Sequence, residues 1–352
     1  MTILLKLDPQ HPDKEKIRQA ARVIKSGGIV VFPTETVYGI GANALDGQAA
    51  AKIYQIKGRP LDNPMIVHVS SMEMAQRIAK IPAKYVKVLQ RIWPAPFTII
   101  VPVKNNIPKV VTGGLSTIAI RMPSSKVALE LIRQSAVPIA APSANISKKP
   151  SSTNASHAKK YFSGKVDIII DAGSSRLGLE STVMNLKSFE ILRPGTFTPV
   201  QIKQFFGRKP KVKETAKGTA MPKKTAISPG TKYKHYSPTT KLVLFNGDIR
   251  TLPEIMKGTE NFSFIGSNEA CKAMKGTAKS TITIGKRSNL KELASNLFDA
   301  LIKVDDLEPK FAIAESFTDR GVGLAIMNRL HKASGNKSFK SKKELESILK
   351  SR

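Results

Sequence analysis

The segment from Lys57 to Asn63 places two cations and an amide in a constrained loop. Lys57 and Arg59 are separated by Gly58 and followed by Pro60. An arginine can bind a phosphate group through a forked pair of hydrogen bonds, whereas a lysine acts as a point charge. Each charge-assisted bond contributes roughly 1.5–3 kcal/mol. The pattern therefore indicates a phosphate site, and the alternative is a solvated basic loop.

A second polar stretch, PSANISKKPSS at 142–152, follows the apolar run 137–141. Its Ser143, Asn145 and Ser151 are small side chains that can approach phosphate oxygens closely, although residues of these types also form turns. Ligands of α/β proteins bind where strands end. We therefore expect the two polar stretches to face one another across one pocket.

Arg121 and His68 lie at the ends of apolar runs. A buried arginine needs an anion, so the position of Arg121 after 117–120 favours binding of a carboxylate. His68 is more often a core or strand-end histidine, although its neutral ring can accept a hydrogen bond from an ammonium. Ser181 opens one predicted strand and Arg193 closes the next. Together these residues are predicted to converge on one end of a sheet.

The common nucleotide and hydrolase motifs are missing. The chain has no G-x-x-x-x-G-K-[ST] loop, and Gly39-Ile-Gly41 lacks the third glycine of a dinucleotide fingerprint, so a tight turn is the favoured interpretation there. G-x-S-x-G, HExxH and CxxC are also absent from the sequence, which leaves hydrolase and metalloprotease functions without support.

The elements that must position these side chains alternate between strands and helices. Apolar, β-branched runs bounded by Gly or Pro predict strands, and apolar residues at helical spacing predict helices. Strands are predicted at 3–7, 29–32, 65–69, 97–103, 117–122, 137–141, 166–171, 181–186 and 189–193, and helices at 13–26, 48–57, 71–92 with a break at Pro82, 125–135 and 199–206. Trp93 is interpreted as a core residue. The pattern is that of an α/β domain.

The composition changes near residue 207, and 352 residues are long for one core. Residues 201–240 hold ten Lys or Arg and one acid, without a periodic apolar face, which is typical of a linker. Predicted strands at 241–245, 262–266, 281–284 and 311–315 then alternate with helices and indicate a smaller parallel α/β domain. The predicted boundaries are 1–207 for the first domain, 208–239 for the linker, 240–340 for the second domain and 341–352 for a basic tail that frays.

The linker ends in Tyr233-Lys234-His235-Tyr236-Ser237-Pro238, which is too aromatic for a mere spacer. We predict that residues 207–238 form a lid over a triphosphate, with His235 or Tyr236 contacting a phosphate. The alternative is a flexible linker whose lysines are solvated.

The net charge indicates which kinds of molecule the protein binds, and the cysteine content indicates its cellular compartment. A formal charge of +31, from 57 Lys and Arg against 26 Asp and Glu, indicates nucleotide phosphates or RNA as partners, or else a surface filled with solvated lysines. One cysteine, Cys271, cannot form an internal disulfide or a cysteine-cluster zinc site. The sequence shows no membrane span or signal-peptide pattern. A cytoplasmic location is expected.

Several of these segments together resemble the YrdC-like threonylcarbamoyl-AMP synthase family in its two-domain form. The matching segments are PTETVYG at 33–39, KGRP at 57–60, NP at 63–64, His68, SANIS at 143–147, PS at 150–151, EST at 180–182, RPG at 193–195, KHYSP at 234–238 and GLAIMNRLHKAS at 323–334. They occur in order over nearly the whole chain. The resemblance implies a twisted mixed-sheet domain with helices, a basic linker and a smaller Rossmann-like domain.

The resemblance also implies an activity: the joining of L-threonine, bicarbonate and ATP into threonylcarbamoyl-AMP, with release of pyrophosphate. The product would pass to a tRNA threonylcarbamoyl transferase complex for modification of adenosine next to the anticodon. Mg²⁺ is expected with ATP, held mainly by the phosphates, and no metal site is expected in the protein itself. Two alternative functions are those of a basic RNA-binding protein with a vestigial pocket and of a carbamoyltransferase of the hydrogenase-maturation type; carbamoyltransferases of that type carry cysteine zinc motifs that this sequence lacks.

The family's binding roles carry over to residues of this sequence. Lys57 and Arg59 are expected to act in catalysis by positioning the phosphates and stabilising their charge. The implied ATP-binding residues are Lys57, Arg59, Asn63, Thr117, Ser143, Asn145, Ser151, Arg193 and Tyr236. The implied L-threonine-binding residues are Thr36, His68, Arg121, Ala141 and Ser181.

Overall fold

The computed structural model describes residues 1–217 and 235–350. These residues form two units. The first contains 1–147 and 151–216, and the second contains 148–150 and 235–350. Part of the predicted lid, 218–234, lies outside the described residues. The first unit carries all but one of the predicted site residues, the exception being Tyr236.

The first unit is built on a mixed sheet. Its strands are β1 (Ile3–Lys6), β2 (Val30–Pro33), β3 (Tyr38–Asn43), β4 (Ile66–His68), β5 (Phe97–Pro102), β6 (Thr117–Arg121), β7 (Ile139–Ala140), β8 (Ile168–Asp171), β9 (Thr182–Asn185), β10 (Glu190–Arg193) and β11 (Lys211–Val212). Their order across the sheet is β1-β8-β2-β3-β7-β4-β6-β5-β9-β10-β11. The prediction of an α/β domain with a mixed sheet is confirmed.

Helices flank this sheet. They are α1 (Lys14–Lys25), α2 (Gly47–Lys57), α3 (Met72–Ile78), α4 (Ala83–Ile92), α5 (Lys109–Thr112), α6 (Lys126–Ser135), α7 (Ala155–Phe162), α8 (Pro199–Phe206) and α9 (Glu214–Lys217). The buried face of α1 consists of Ile17, Ala20, Ala21 and Ile24, the apolar face that its sequence predicts. Trp93 is a core residue, as predicted, and its indole Nε1 donates a hydrogen bond to the carbonyl of Phe97 at 2.8 Å.

Strand β3 is missing from the sequence prediction, which has a tight turn at its two glycines. The structure instead pairs β3 with β2 in antiparallel register, with Gly41 opposite Val30. A Cβ on Gly41 would lie 2.7 Å from the ring of Phe32 and 2.7 Å from Ile139 Cγ2. Glycine is needed here for close packing within a strand, and not for a turn.

Helix α2 carries the basic loop at its C-terminal end. The Asp46 side chain caps its first turn by accepting hydrogen bonds from the backbone N–H groups of Gln48 and Ala49. Gly58 ends the helix in the left-handed conformation, with φ of 58°, a conformation that favours glycine. The chain therefore reverses sharply between Lys57 and Arg59.

The second unit has a parallel sheet. Its strands are β12 (Leu242–Phe245), β13 (Phe262–Gly266), β14 (Ser280–Thr283), β15 (Phe311–Glu315) and β16 (Ser338–Phe339), in the order β14-β13-β15-β12-β16. All of their pairings are parallel. The helices are α10 (Leu252–Ile255), α11 (Asn268–Ala273), α12 (Leu290–Asp306), α13 (Gly323–Ser334) and α14 (Lys342–Lys350), with a 3-10 helix at Ile249–Thr251.

Helix α14 occupies most of the segment predicted to fray as a basic tail. Its Leu345 is buried in the core of the second unit, and Ile348 and Leu349 pack against that core. These three apolar residues share one helical face, so their burial stabilises the helix despite the basic residues around them. No helix among the described residues is long and apolar enough to span a bilayer.

Candidate active site

Lys57 joins the two polar stretches of the first unit. Its side chain is 2% exposed, and its Nζ donates hydrogen bonds to the carbonyl of Ser143, at 2.6 Å, and to the carbonyl of Asn145. Burial, followed by the neighbouring positive charge of Arg59, holds the pKa of Lys57 well below its usual value. The two stretches are therefore in direct contact through Lys57, and a ligand pocket between them stays a prediction.

Arg59 braces its own loop. Its Nε donates to the carbonyl of Asn63 at 3.0 Å, and its Nη2 donates to the carbonyl of Pro64 at 2.7 Å. The single proton of the Tyr54 hydroxyl is shared between the Val110 carbonyl, at 2.8 Å, and the Asn63 carbonyl, at 3.1 Å. The loop from Arg59 to Pro64 is thereby tied down, and contact of either cation with a phosphate stays a prediction.

The loop after β7 is organised by its own side chains. Ser143 Oγ donates to Asn145 Oδ1 at 2.5 Å, and Asn145 Nδ2 donates to the carbonyl of Ile146 at 2.8 Å. Ser151 Oγ donates to Glu180 Oε1 at 2.6 Å. Each predicted donor of this loop is thus held in place by a specific neighbour.

Three polar side chains form a row on one face of the sheet. His68 of β4 lies opposite Arg121 of β6, and Thr98 of β5 lies opposite Arg121 on its other side. Residues opposed in a sheet point to the same face. The structure therefore brings His68 and Arg121 together, as the sequence predicts, and adds Thr98.

His68 is neutral in this environment. Its side chain is buried, and burial, together with the positive charge of Arg121, lowers the pKa of its ring to about 3. Nδ1 of His68 has no hydrogen-bond partner within residues 1–217 and 235–350. The edge of the Phe32 ring approaches the His68 ring with centroids 6.2 Å apart. The histidine can therefore exchange a hydrogen bond with a ligand at this atom.

The turn from Thr34 to Val37 contacts Arg121. Arg121 Nη1 donates to Thr36 Oγ1 at 2.8 Å. Thr34 Oγ1 donates to the carbonyl of Val37 at 2.6 Å and lies 2.8 Å from Thr36 Oγ1. Because the proton of Thr34 is used on Val37, the proton of Thr36 points to Thr34. Thr36 therefore acts as an acceptor towards Arg121 and towards any ligand.

Arg121 has a counter-ion that the sequence prediction does not name. Its Nη2 lies 2.6 Å from Glu35 Oε1, and both side chains are 4% exposed. The atoms are not aligned for a hydrogen bond. Nε and Nη2 of Arg121 and both oxygens of Glu35 have no hydrogen-bond partner in the described part of the chain. Nε and Nη2 form the edge of a guanidinium that can hold a carboxylate in a forked pair.

Ser181 connects this row to Arg193. Ser181 Oγ lies 2.7 Å from Thr98 Oγ1, and Arg193 donates to Ser181 twice, from Nε to the carbonyl and from Nη2 to Oγ, both at 3.1 Å. All three side chains are buried. The predicted convergence of Ser181 and Arg193 is confirmed.

The remaining predicted residues of the first unit are Thr117, Ala141 and Asn63. Thr117 is on the same face as Arg121 and at the start of the same strand, about 13 Å away along β6. The N–H of Ala141 donates to the Ile66 carbonyl at 2.9 Å. Asn63 is buried, and its Oδ1 has no hydrogen-bond partner among the residues that the structure describes.

Tyr236 belongs to the second unit, where it is buried. Its ring packs 5.1 Å from the ring of Phe298, and the Arg329 guanidinium lies 5.6 Å from the ring centroid. Contact of Tyr236 with ATP stays a prediction.

Glu35, Thr98 and Glu180 are polar residues of the site that the sequence prediction does not include. One signal for Glu35 is present: a buried arginine needs an anion, and Glu35 is the carboxylate of the segment that supplies Thr36. Thr98 offers no comparable signal, because a threonine within an apolar strand is ordinary.

The site has two parts with different chemistry. The row of His68, Arg121 and Thr98, together with Thr36 of the adjoining turn, offers a forked cationic donor, a neutral imidazole and a hydroxyl acceptor, which suit a small ligand with a carboxylate and further polar groups. The loops around Lys57 and Ser143 offer constrained backbone, cations and small hydroxyls, which suit phosphates. Together they can hold an amino acid beside a nucleotide.

Known proteins resemble this chain in sequence and structure. The family described as "Telomere recombination" matches residues 22–195, and the family "Threonylcarbamoyl-AMP synthase, C-terminal domain" matches residues 197–335. The threonylcarbamoyl-AMP synthase of Pyrococcus abyssi is 40% identical over 97% of this chain and 100% of its own length. That of Bacillus subtilis is 41% identical over 94% of this chain and 96% of its own length.

A crystal structure extends this similarity to the fold. P. abyssi Sua5 complexed with L-threonine has a TM-score of 0.89 and 40% identity, covering 96% of this chain and 99% of the P. abyssi chain. The similarity therefore includes both units and is well above the level at which only a fold is shared. The chain belongs to the two-domain threonylcarbamoyl-AMP synthase family, as its sequence motifs predict.

Proposed function

We propose that this protein makes L-threonylcarbamoyl-AMP and pyrophosphate from L-threonine, bicarbonate and ATP. The observation that carries the proposal is Arg121: a buried guanidinium, paired with Glu35, whose Nε and Nη2 make no hydrogen bond to any described residue, beside Thr36 and His68. A protein that is 40% identical over nearly the whole chain has been crystallised with L-threonine. The enzyme class is therefore that of a nucleotidyltransferase.

The row on the sheet binds L-threonine in this proposal. Arg121 receives the carboxylate on its Nε and Nη2 edge. Thr36 accepts a hydrogen bond and neutral His68 offers Nδ1, so the two can bind the hydroxyl of the threonine side chain. Ser181 and the backbone of Ala141 complete the contacts that the family resemblance implies.

The loops bind ATP. Arg59 and Lys57 supply positive charge near the phosphates, and Ser143, Asn145 and Ser151 supply small polar groups. Asn63, Thr117, Arg193 and Tyr236 are the further ATP contacts that the resemblance implies. Because Lys57 is buried and holds two backbone carbonyls, its larger effect is on the position of the loop.

The reaction needs no nucleophilic side chain from the protein. The threonine nitrogen loses the proton of its ammonium form to solvent and takes up a carboxyl group from bicarbonate, with loss of water. An oxygen of the resulting carbamate then attacks the α-phosphate. The bond from the α-phosphorus to the bridging oxygen breaks, and pyrophosphate leaves. The protein contributes by holding carbamate and α-phosphate in line and by stabilising the charge that develops on the phosphates.

Mg²⁺ is part of the proposal because a triphosphate carries it. Its ligands would be mainly phosphate oxygens, and it would neutralise the leaving pyrophosphate. The described residues hold no group of three or more His, Cys, Asp or Glu side chains that could bind a metal.

The proposal also includes the step that uses the product and the compartment in which that step occurs. It passes to a tRNA threonylcarbamoyl transferase complex in the cytoplasm, for modification of adenosine next to the anticodon. The charge of +31 suits contact with tRNA in addition to ATP.

Pyrophosphate release tests the function. The full chain is incubated with Mg·ATP, with and without L-threonine and with and without bicarbonate, and the adenylate is identified by mass spectrometry. We expect pyrophosphate only when both co-substrates are present. An RNA-binding protein with a vestigial pocket would release none, and a carbamoyltransferase, in a parallel assay with carbamoyl phosphate in place of bicarbonate, would hydrolyse that compound without needing threonine. Either result contradicts the proposal.

A further inference from the structure

Glu35 is a buried carboxylate to which the proposed reaction gives no role so far. Its backbone carbonyl accepts a hydrogen bond from the N–H of Leu177 at 2.8 Å, and the Thr34 hydroxyl organises the turn that contains it. The side chain is 4% exposed and lies against Arg121. The position of Glu35 is therefore fixed by its own loop, and its carboxylate faces the guanidinium of Arg121.

The ion pair between Glu35 and Arg121 leaves polar atoms of both side chains without hydrogen bonds to the described residues. Two buried charges stabilise a fold only when good geometry and further hydrogen bonds offset their desolvation. Here neither oxygen of Glu35 and neither Nε nor Nη2 of Arg121 has a hydrogen-bond partner in residues 1–217 and 235–350. Buried polar atoms that lack partners are rare in native structures and need an explanation. A ligand that supplies both donors and acceptors would complete the pair.

An α-amino acid has the required charges at the required spacing. Its ammonium and carboxylate groups are attached to one carbon, so they lie about as close together as Glu35 and Arg121. A simple carboxylic acid would satisfy Arg121 and leave the Glu35 oxygens without donors. An amine without a carboxylate would do the reverse. Only a zwitterion pairs with both side chains.

We propose that Glu35 binds the ammonium group of L-threonine while Arg121 binds its carboxylate. The four charges then alternate in sign around a square, and each group has an opposite charge on both sides. This inference rests on the proposed function, because it takes threonine as the ligand of the row. It makes Glu35 the residue that selects an amino acid over the corresponding hydroxy acid.

The test compares two ligands on two proteins. The ligands are L-threonine and the 2,3-dihydroxybutanoate of the same configuration, in which a hydroxyl replaces the ammonium. The proteins are the wild-type full chain and Glu35→Gln, which keeps the size of the side chain and removes its charge. Dissociation constants are measured by calorimetry without ATP or bicarbonate, so that only binding is observed.

Glu35→Gln is expected to weaken threonine binding about 10- to 100-fold, the range for one charge-assisted hydrogen bond. Binding of the dihydroxy acid is expected to fall far less, because its hydroxyl has no charge to pair with Glu35, and any effect of losing the Arg121 counter-ion is common to both ligands. The preference of the wild-type protein for threonine over the dihydroxy acid should therefore largely disappear. A merely structural role would weaken both ligands by the same factor, and that result would overturn the inference.

A second variant keeps the test valid if Glu35→Gln does not fold. Glu35→Asp retains the charge but withdraws it by one methylene, so threonine affinity should fall while affinity for the dihydroxy acid stays the same. Equal losses for both ligands again contradict the role of Glu35. If wild-type protein does not bind threonine at all, the proposed function fails; if it binds threonine and the variants bind it equally well, only the inference about Glu35 fails.

Discussion

Replacement of Lys57 by methionine tests whether this lysine holds the two polar loops together. Methionine keeps the length and apolar packing of the side chain but cannot donate to the carbonyls of Ser143 and Asn145. Each buried carbonyl that loses its donor costs about 1–3 kcal/mol. Part of this cost is offset, because the depressed pKa of Lys57 shows that burial already disfavours its charged form. We expect a net loss of about 2–3 kcal/mol at pH 7.

The single tryptophan gives a specific probe for this experiment. Trp93 is in the core of the first unit, so its fluorescence during urea unfolding reports on that unit and not on the second. With an m-value of about 2 kcal/mol/M, the midpoint should fall by roughly 1 M urea. The matched control is Lys52→Met on the same helix, where an exposed lysine donates to the carbonyl of Gly27 at 3.0 Å.

The Lys52→Met control and the rate of pyrophosphate release show whether the effect of Lys57→Met is specific to Lys57. Lys52→Met should change stability by no more than about 0.5 kcal/mol. Lys57→Met should also release pyrophosphate slowly, because the loop from Ser143 to Asn145 is no longer held in place. If the two variants unfold at the same urea concentration, Lys57 does not hold the loops and the reasoning is wrong.

Four further predictions concern single residues. Arg59→Ala should sharply reduce pyrophosphate release and lower the Trp93-detected stability by about 1–3 kcal/mol, because the carbonyls of Asn63 and Pro64 lose its hydrogen bonds; near-normal turnover would contradict a phosphate role. Arg121→Ala should weaken binding of threonine by about 2–5 kcal/mol and binding of ATP much less; equal losses would refute the separation of roles. The pKa of His68 is lowered to about 3 from 6.5. Between these pH values the unfolded chain therefore binds more protons than the folded protein. The free energy of unfolding of the wild-type protein should rise with pH over this range, by up to about 5 kcal/mol. His68→Gln should lack this rise, and parallel stability curves for the two proteins would contradict the neutral buried state. Tyr236→Phe keeps the buried ring and removes the hydroxyl, so lower ATP affinity is expected if the phenol contacts ATP, and unchanged affinity would reject that contact.

Much of the fold follows from patterns of apolar residues in the sequence. Strands β12 to β15 of the second unit and helices such as α1 and α8 are predicted within a few residues from their apolar patterns, whereas the two-residue strand β16 is not predicted. The site residues Arg121, His68, Ser181 and Arg193 are also found from sequence, since each adjoins such a run. Local patterns suffice where burial of the element itself determines its structure.

Tertiary packing explains what the sequence patterns do not reveal. Strand β3 contains Gly39 and Gly41, which weaken any strand pattern, and it forms because Phe32 packs closely over those glycines. Glu35 lies in a polar turn where a carboxylate is ordinary, and only the fold shows that it is buried against Arg121. Lys57 likewise cannot be placed from the sequence alone. A lysine in a corner with Gly58 and Pro60 predicts an exposed cation, yet its ammonium is buried against two carbonyls.

The two parts of the site are joined through adjacent residues of the chain. Glu180 accepts a hydrogen bond from Ser151 of the loop after β7, while Ser181 bonds to Thr98, which lies in one row with Arg121 and His68, and to Arg193. One peptide unit therefore links the loop that is proposed to hold ATP to the row that is proposed to hold threonine. Since the reaction depends on placing a carbamate oxygen in line with the α-phosphorus, a small displacement at either end misaligns the two substrates. This link gives a physical reason why catalysis here can rest on positioning, without a nucleophilic side chain.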